Sequence, residues 1–235
     1  MRLGAKLNYF VYNGRSCADW HVVCSGGGTF DGAAINFDET QIPGRHGQRM
    51  YTDGTYDAND IAYKACWISK DADVGYLDDF RDFLMSDPGY HELWDPYHED
   101  EYRLAAFVDT IEPEMGVLND SAQFDVKFHC DPRRWLISGK RDVDLTDGGT
   151  LHNPTRHEAM PLITLTGEGT LTINDSTIQY NGGGTITLDC DDMTCDNMGA
   201  VALSNHDFPV LRSGDNTITN SGFSSVTIRP RWYRL

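Results

Sequence analysis

The densest group of acids and bases in the sequence is WDPYHEDEY, residues 94 to 102, which is the first place to look for hydrolytic chemistry. It places Asp95, His98, Glu99, Asp100 and Glu101 beside aromatic residues. Glycoside cleavage needs two carboxyl groups held at a fixed separation across a cleft. Adjacent acids on one short segment do not provide that separation, and such a run is typical of a solvated hairpin tip. Because the chain also lacks a G-x-S-x-G elbow and a cysteine in a nucleophile motif, it is not expected to be an enzyme.

Two other stretches combine types of residue that bind metals. HCDPRR begins at residue 129 and DCDDMTCD begins at residue 189, but neither contains a C-x-x-C pair and the chain has no H-E-x-x-H. DGTYDAND lacks the glycine and glutamate positions of a calcium loop. We interpret all three as polar turns, with a cation at DCDDMTCD as the alternative. The sequence predicts no metal ion and no cofactor.

Glycine-rich stretches raise the question of phosphate binding. PGRHG, residues 43 to 47, is short, and SGGGTF, residues 25 to 30, lacks the lysine and the following helix of a P-loop. Both are interpreted as turns in which glycine permits a strained backbone.

The composition is that of a folded acidic protein. The 235 residues include 19 Lys and Arg against 36 Asp and Glu, a formal net charge of -17. Such a charge repels nucleic acid and anionic lipid, and it either keeps a concentrated assembly soluble or lines a channel through which DNA passes without sticking. The opening stretch has no apolar core of signal-peptide length, and no apolar run is long enough to span a membrane.

The six cysteines do not imply a disulfide framework, because the chain is large and no secretion signal is recognised. Buried thiols are expected, and the local pair Cys190–Cys195 is the one bridge left open.

The elements that would position these residues are mainly strands. Asn13-Gly14 predicts a tight hairpin turn, and alternation predicts strands in IAYKACWI, with Ile61 to Trp67 on one face, and in AQFDVKFHC. One helix, about 74–86, is predicted with acids early and Asp-Pro-Gly at its end. Its apolar face, at helical spacing, consists of Tyr76, Leu77, Phe80, Phe83 and Leu84.

From about residue 150 the sequence changes in character. Thr, Gly, Asn and Ile replace charged residues, and short strands alternate with turns in the pattern of a β-sandwich. Arg133, Arg134, Arg229 and Arg231 are among seven cations expected to pair across an interface rather than to follow a phosphate backbone.

Motifs in order along nearly the whole chain resemble the siphophage distal tail proteins (Dit). IPGRHGQRMYTDGTYDANDIAYKACWI and the later AQFDVKFHCDP are similar to the N-terminal domain of that family. LHNPTRHEAMPLITLTGEGTLTIN and DFPVLRSGDN are similar to its second domain, although this half has no room for the long arm that some relatives insert. The residues that match the family's first turn are Pro43, Gly44, Arg45, Gly47, Gly54 and Tyr56.

The resemblance implies a mainly β protein with two domains: residues 1–137, a ring-forming α+β domain with one helix, and residues 138–235, a galectin-like β-sandwich whose last strand packs back on the first domain. It implies a homo-hexameric hub ring at the virion tail tip, assembled in the host cytoplasm. The tail-tube protein would lie above and a tail-associated hub or fibre protein below, with DNA passing through the lumen and no membrane contact. The matched turn residues would then serve the ring interface or a structural turn, Arg45 offering a planar fork to a carboxylate on a neighbour.

A second hypothesis remains open, in which the galectin-like domain is a carbohydrate-binding module with a weak contact to host glycan. Sugar sites present an exposed aromatic platform with converging polar groups. The aromatic residues of this half, most of which are expected in the core, are Tyr180, Phe208, Phe223, Trp232 and Tyr233.

Overall fold

The computed structural model describes residues 8–68 and 73–235, and it is mainly β with one α-helix in this part of the chain. The chain divides into two compact units, the first ending at Arg134 and including Leu235, the second running from Trp135 to Arg234. The predicted fold class, an α+β domain followed by a β-sandwich, is confirmed. No helix among the described residues is long and apolar enough to span a membrane.

The first ten strands belong to the first unit, apart from the last two residues of the tenth. They are β1 (Val11–Tyr12), β2 (Arg15–Ser16), β3 (Val22–Gly28), β4 (Asp38–Gln41), β5 (Gln48–Tyr51), β6 (Asn59–Ile68), β7 (His91–Trp94), β8 (Glu101–Phe107), β9 (Glu114–Met115) and β10 (Ser121–Leu136). The α-helix α1 (Gly75–Met85) and a 3-10 helix (Cys17–Trp20) complete this unit.

One antiparallel sheet organises the first unit in the order β2-β1-β7-β8-β10-β6-β3, with β9 added to β10. The longest ladder joins β10 to β6 from Ser121↔Ile68 to Cys130↔Asn59. The alternation predicted for both strands is confirmed, because Ile61, Tyr63, Ala65 and Trp67 are all buried on one face, as are the apolar residues of β10 opposite them. The Asn13-Gly14 turn also forms, with φ of 46° and 77°.

Aromatic rings fill the core of the first unit. Phe128 lies against Phe10 and Tyr12, with ring centroids 5.4 and 4.9 Å apart. The helix α1 covers this core with Phe80 and Leu84, and Phe83 stacks on Trp20 at 4.6 Å. Tyr76 departs from the predicted apolar face: it is 38% exposed and packs on His21 instead. Residues 71 and 72, which open the stretch from which the helix was predicted, lie outside the described residues.

The remaining strands form the second unit. They are β11 (Val143–Asp144), β12 (Gly149–Asn153), β13 (Leu162–Thr166), β14 (Gly169–Ile173), β15 (Ser176–Tyr180), β16 (Thr185–Asp189), β17 (Thr194–Cys195), β18 (Val201–Leu203), β19 (Gly214–Ser221), β20 (Ser225–Arg229) and β21 (Tyr233–Arg234). Three short 3-10 helices connect them, at Ile137–Lys140, Met198–Ala200 and Ser204–His206.

Two five-stranded antiparallel sheets make the sandwich, in the orders β11-β20-β13-β16-β17 and β12-β19-β14-β15-β18. Leu165, Leu171, Ile178 and Ile228 are among the fully buried side chains between them. The Leu136 N–H, at the end of β10 that belongs to this unit, donates to the Trp232 carbonyl at 2.8 Å just before β21.

Buried asparagines hold the loops of the second unit, and they are motif residues of the sequence. Asn216 is fully buried, donates to the carbonyls of Arg212 and Gly214, and accepts from the Arg212 N–H at 2.8 Å. Asn153 donates to the carbonyls of His157 and Leu211. Because a buried amide without partners costs about 1–3 kcal/mol, these residues are explained by structure rather than by ligand binding.

The first prediction concerns the aromatic core. Phe128→Ala removes a fully buried ring and is expected to lower the free energy of unfolding by about 3–5 kcal/mol, measured by urea denaturation. Leu118→Ala is the matched control: its side chain is 76% exposed, so a change of no more than about 0.5 kcal/mol is expected. Equal losses for both variants would contradict the packing described.

The second prediction concerns Asp189, whose carboxylate accepts from both Arg231 guanidinium nitrogens at 2.6 and 2.8 Å. These bonds lower the pKa of Asp189 from its ordinary value of 3.8. A carboxyl whose pKa is lower in the folded than in the unfolded state stabilises the fold above the unfolded pKa, and loses this contribution as the pH falls through the folded value.

Asp189→Asn should therefore lower the free energy of unfolding by about 1.5–3 kcal/mol at neutral pH. The difference from the wild type should shrink as the pH falls below 3.8, followed as the melting temperature against pH. The exposed Asp147→Asn serves as the control, for which no such convergence is expected. A difference for Asp189→Asn that stays constant down to acid pH would contradict the ion pair as its cause.

Candidate functional site

The acidic run between β7 and β8 is divided by the fold between buried and exposed positions. Asp95 and Glu101 are 4% and 6% exposed, whereas Glu99 and Asp100 face solvent. The interpretation of the whole run as a solvated hairpin tip is therefore wrong for two of its acids. Their burial has a structural cause, because each lies against a donor or cation supplied by another segment: Tyr63 for Asp95 and Arg134 for Glu101.

Both oxygens of Asp95 are committed to hydrogen bonds. One accepts from the Tyr63 hydroxyl at 2.6 Å, and the other accepts from the backbone N–H groups of Tyr97 and His98 at 2.9 and 3.1 Å. Burial, followed by the nearby Asp95 charge, raises the pKa of Tyr63 well above its ordinary value, so that it stays a neutral donor. These three bonds hold the loop and occupy most of the acceptor sites of the carboxylate.

A second set of buried contacts fixes the segment that follows β3. Arg103, 5% exposed, donates to the Thr29 carbonyl at 2.5 Å, and the Thr29 hydroxyl donates to the Gly26 carbonyl at 2.7 Å. His98 lies 3.2 Å from that hydroxyl, and the Phe30 ring packs on His98. The sequence analysis did not predict this anchor, although an arginine at an inward position of EYRLAAF was the available signal.

The three glycines of SGGGTF lie at a β-bulge where β3 meets β6. A Cβ on Gly26 would overlap the Tyr97 ring, and one on Gly28 would lie 2.5 Å from the Ala62 carbonyl oxygen. A Cβ on Gly27 would meet only the Ser25 hydroxyl, at 3.9 Å. Gly26 and Gly28 are thus explained by close packing at the point where the chain leaves the sheet.

Beyond this anchor the chain forms a hairpin of β4 and β5, called here the exposed hairpin (Asp38–Tyr51). Its ladder runs from Asp38↔Tyr51 to Gln41↔Gln48 and makes a separate two-stranded sheet. Every residue of the exposed hairpin is exposed, including Ile42, Met50 and Tyr51. A two-stranded hairpin without a packed face is only marginally stable in water, so contact with another surface would stabilise it.

Four of the predicted residues lie together at the tip of the exposed hairpin. Pro43, Gly44, Arg45 and Gly47 are all exposed in the connection between the strands. Gly44 and Gly47 have φ of 81° and 84°, a region that residues with side chains rarely adopt, and the Arg45 N–H closes a turn onto the Ile42 carbonyl at 3.2 Å. The geometry of this turn leaves the Arg45 side chain exposed.

The other two predicted residues lie at the base rather than at the tip. Gly54, with φ of 83°, follows β5 in a turn held by Thr52 and Asp53, and Tyr56 forms an isolated bridge with Ile35. Four of the six predicted residues therefore lie at the tip of the exposed hairpin, and the other two lie at its base. A cavity of about 460 Å³ opens beside this base, lined by Asn36, Phe37, Asp38, Tyr51, Thr52 and Asp53.

The candidate cation loop DCDDMTCD is engaged with its own chain. The Asp189 carboxylate accepts from Arg231 and from the N–H groups of Asp191 and Asp192. In the part of the chain that the structure describes, no group of three or more His, Cys, Asp or Glu is arranged to hold a metal ion.

Cys190 and Cys195 are both free thiols, so the disulfide that the sequence analysis left open is not formed. Burial raises the pKa of Cys130 and of Cys190 to about 12.

Four of the cations expected at an interface pair within the chain. Arg133 pairs with Asp131, Arg134 with Glu101, and Arg231 with Asp189, while Arg229 donates to Asp142 at 2.8 Å. Each of the four therefore already has an acid of its own chain as partner, and their pairing across an interface stays a prediction. Arg134, Arg229 and Arg231 reach acids that are distant in the sequence, whereas Asp131 is only two residues from Arg133.

Among the described residues of the sandwich, no aromatic side chain forms an exposed platform for a sugar ring. Tyr180, Phe223 and Trp232 are between 2% and 4% exposed, and Phe208 and Tyr233 are only partly exposed. Tyr233 stacks on His157 with centroids 5.6 Å apart. Aromatic residues in this unit serve packing, which weakens the glycan-binding hypothesis.

Solved structures with the same fold come from phage tails. The SPP1 Dit protein (gp 19.1), described as a paradigm of the hub adsorption apparatus in phages that infect Gram-positive bacteria, superposes with a TM-score of 0.75 at 14% identity, covering 98% of this chain and 100% of that one. A chain of the phage P2 baseplate, in its activated conformation with Ca, gives a TM-score of 0.55 at 11% identity over 94% and 96%. The same baseplate with Sr gives 0.54 at 12% identity over 97% and 98%. Neither a protein-family model nor a curated protein sequence matches the chain.

The third prediction compares neighbouring glycines at the root of the exposed hairpin. Gly28→Ala places a methyl group against the Ala62 carbonyl and is expected to lower the free energy of unfolding by about 1–3 kcal/mol. Gly27→Ala, the control, meets only the Ser25 hydroxyl at 3.9 Å and should be nearly neutral. Chemical denaturation measures both, and a Gly28→Ala variant as stable as Gly27→Ala would show that the close approach is not required.

Proposed function

We propose that this chain is a distal tail (Dit) protein of a siphophage, a structural subunit of a hub ring that joins the tail tube to the tail tip or baseplate. The observation that carries this proposal is the fold shared with the SPP1 Dit protein along almost the full length of both chains. The motifs PGRHG, DGTY, FHCDP and FPVLRSGDN occur in the order expected for that family.

The exposed hairpin supports an assembly role independently of the fold likeness. It carries no core of its own, and exposed Ile42, Met50 and Tyr51 are the kind of side chains that contact a partner in an assembled particle. A closed ring needs two different complementary surfaces on every subunit. We therefore assign ring formation to residues 1–137, in a homo-hexamer, and assign Pro43, Gly44, Arg45, Gly47, Gly54 and Tyr56 to its interface or to the turns that shape it.

The proposed ring also implies a location, neighbouring proteins and a lumen. The ring would stand at the virion tail tip after assembly in the host cytoplasm, with the tail-tube protein above and a tail-associated hub or fibre protein below. A net charge of -17 suits a lumen that lets DNA pass without binding it. The role is structural, without catalysis, which agrees with an acidic run whose buried members are engaged by the fold.

The sandwich, residues 138–235, is proposed as the galectin-like domain of the hub. Glycan binding by this domain is the alternative function, and the packing of its aromatic residues weighs against it.

The fourth prediction tests whether the protein forms a ring and whether the exposed hairpin contributes to the ring interface. Multi-angle light scattering of the purified protein should report a mass near six subunits. Because Asp38 and Tyr51 are ladder partners, their Cα atoms are only about 4.5–5.5 Å apart, so a two-residue Gly-Ser link can replace Asp38–Tyr51. That shortened variant should be a monomer, since the surface that contacts the neighbour is gone.

The shortened variant should keep the circular dichroism and melting temperature of the wild-type subunit, because it loses no core residue. A shortened variant that still reports six subunits would exclude the exposed hairpin from the interface. A wild-type protein that remains a monomer at high concentration and binds cell-wall glycan would favour the alternative function.

A further inference from the structure

A groove of about 510 Å³ lies on the outer face of the sheet in the first unit, opposite the aromatic core. Its walls come from β6, β9, β10 and the segment before β9, and the residues that line it are Lys64, Ala65, Asp109, Thr110, Glu112, Glu114, Gln123, Phe124, Asp125 and Lys127. Four carboxylates and two ammonium groups give the groove a net negative charge. The proposed hub role as stated gives this surface no task.

Two of the four carboxylates are already paired within the groove. Lys64 contacts Asp125 at 3.2 Å and Lys127 contacts Asp109 at 3.0 Å. The other two, on Glu112 and Glu114, are exposed and accept no hydrogen bond from any of the residues 8–68 and 73–235. The groove therefore presents two negative charges that the described part of the chain does not neutralise with an ion pair.

The part of the exposed hairpin toward its tip carries positive charge, while the two acids of the hairpin, Asp38 and Glu39, lie at its base on β4. Arg45 at its tip and Arg49 on β5 form no ion pair among the described residues. The Arg49 guanidinium lies 5.4 Å from the Tyr51 ring centroid, a contact that still leaves its donors exposed. Two arginines without a carboxylate partner thus match two glutamates without a cation.

Apolar side chains accompany the charges on both surfaces. Tyr51 lies on the same face of β5 as Arg49 and is 63% exposed. Val108, next to Asp109, is 72% exposed. Exposed ion pairs alone contribute only about 0.2–1 kcal/mol each, so a specific contact also needs apolar area, and both surfaces supply it.

We propose that the exposed hairpin of one copy lies in the acidic groove of a second copy, with Arg45 and Arg49 against Glu112 and Glu114. This inference rests on the proposed ring and identifies the two surfaces that close it. The contact joins two different patches, so each copy offers one hairpin and one groove, and repetition closes into a ring when the rotation between copies allows it.

Charge reversal on each side tests the pairing. Arg45→Glu with Arg49→Glu puts glutamates at all four proposed contact positions, and Glu112→Arg with Glu114→Arg puts arginines at all four. Each variant alone should resist assembly, with the concentration for half-assembly raised at least about tenfold. The readout is the mass from light scattering across a dilution series. Glu99→Arg with Asp100→Arg, an equal charge change at exposed positions elsewhere, should assemble as the wild type does.

Mixing the two reversed variants in equal amounts is the decisive step. The glutamates on the hairpin of one variant then meet the arginines in the groove of the other, and the unchanged Arg45 and Arg49 meet the unchanged Glu112 and Glu114, so assembly should return as a ring of alternating copies. Restored assembly in the mixture, together with failure of each variant alone, is the expected result. A mixture that stays dissociated overturns the proposed pairing.

The outcomes separate this inference from the ring itself. A wild-type ring that none of the reversals affects overturns the contact between hairpin and groove and leaves the hub role standing. Open chains or dimers that respond to the reversals and to mixing support the contact and count against a closed hexamer. A wild-type protein that remains monomeric at high concentration counts against both.

Discussion

The buried polar contacts at the end of β3 are the constraint on which the rest of the first unit depends. Arg103 holds the Thr29 carbonyl, and Asp95 holds both Tyr63 and the turn after β7. Removing one partner from such a set leaves a buried charge or polar group without compensation, which is far more costly than the net value of the bonds themselves. The bulge at Ser25–Gly28 and the departure of the chain toward the exposed hairpin are fixed by these contacts.

The first unit combines a packed sheet with the exposed hairpin, which extends beyond that sheet. The β6–β10 ladder presents an aromatic core on one face and charged side chains such as Lys64, Asp125 and Lys127 on the other. Strand alternation produces both faces from the same residues. A subunit built in this way can present an assembly surface on the outer face without weakening its core.

Local periodicity was enough to predict much of the fold. The inward residues Ile61 to Trp67, the turn at Asn13-Gly14, the helix and the sandwich pattern of the second half all follow from nearest-neighbour rules. What the sequence could not show was which segments meet. Arg231 reaches Asp189, and Arg134 reaches Glu101, only because distant strands are brought together, and for the same reason the burial of Asp95 was missed. The six predicted turn residues were located on one excursion of the chain, but their division between tip and base depends on the pairing of β4 with β5.

A hairpin with no packed face has a consequence for how an assembly of such subunits would grow. Ordering each hairpin costs conformational entropy, so a lone pair of subunits gains little from its first contact. The final contact of a circle joins parts that are already tethered, and it needs no further loss of translational freedom. Incomplete circles would therefore be sparsely populated, and separate subunits and finished rings would dominate the population.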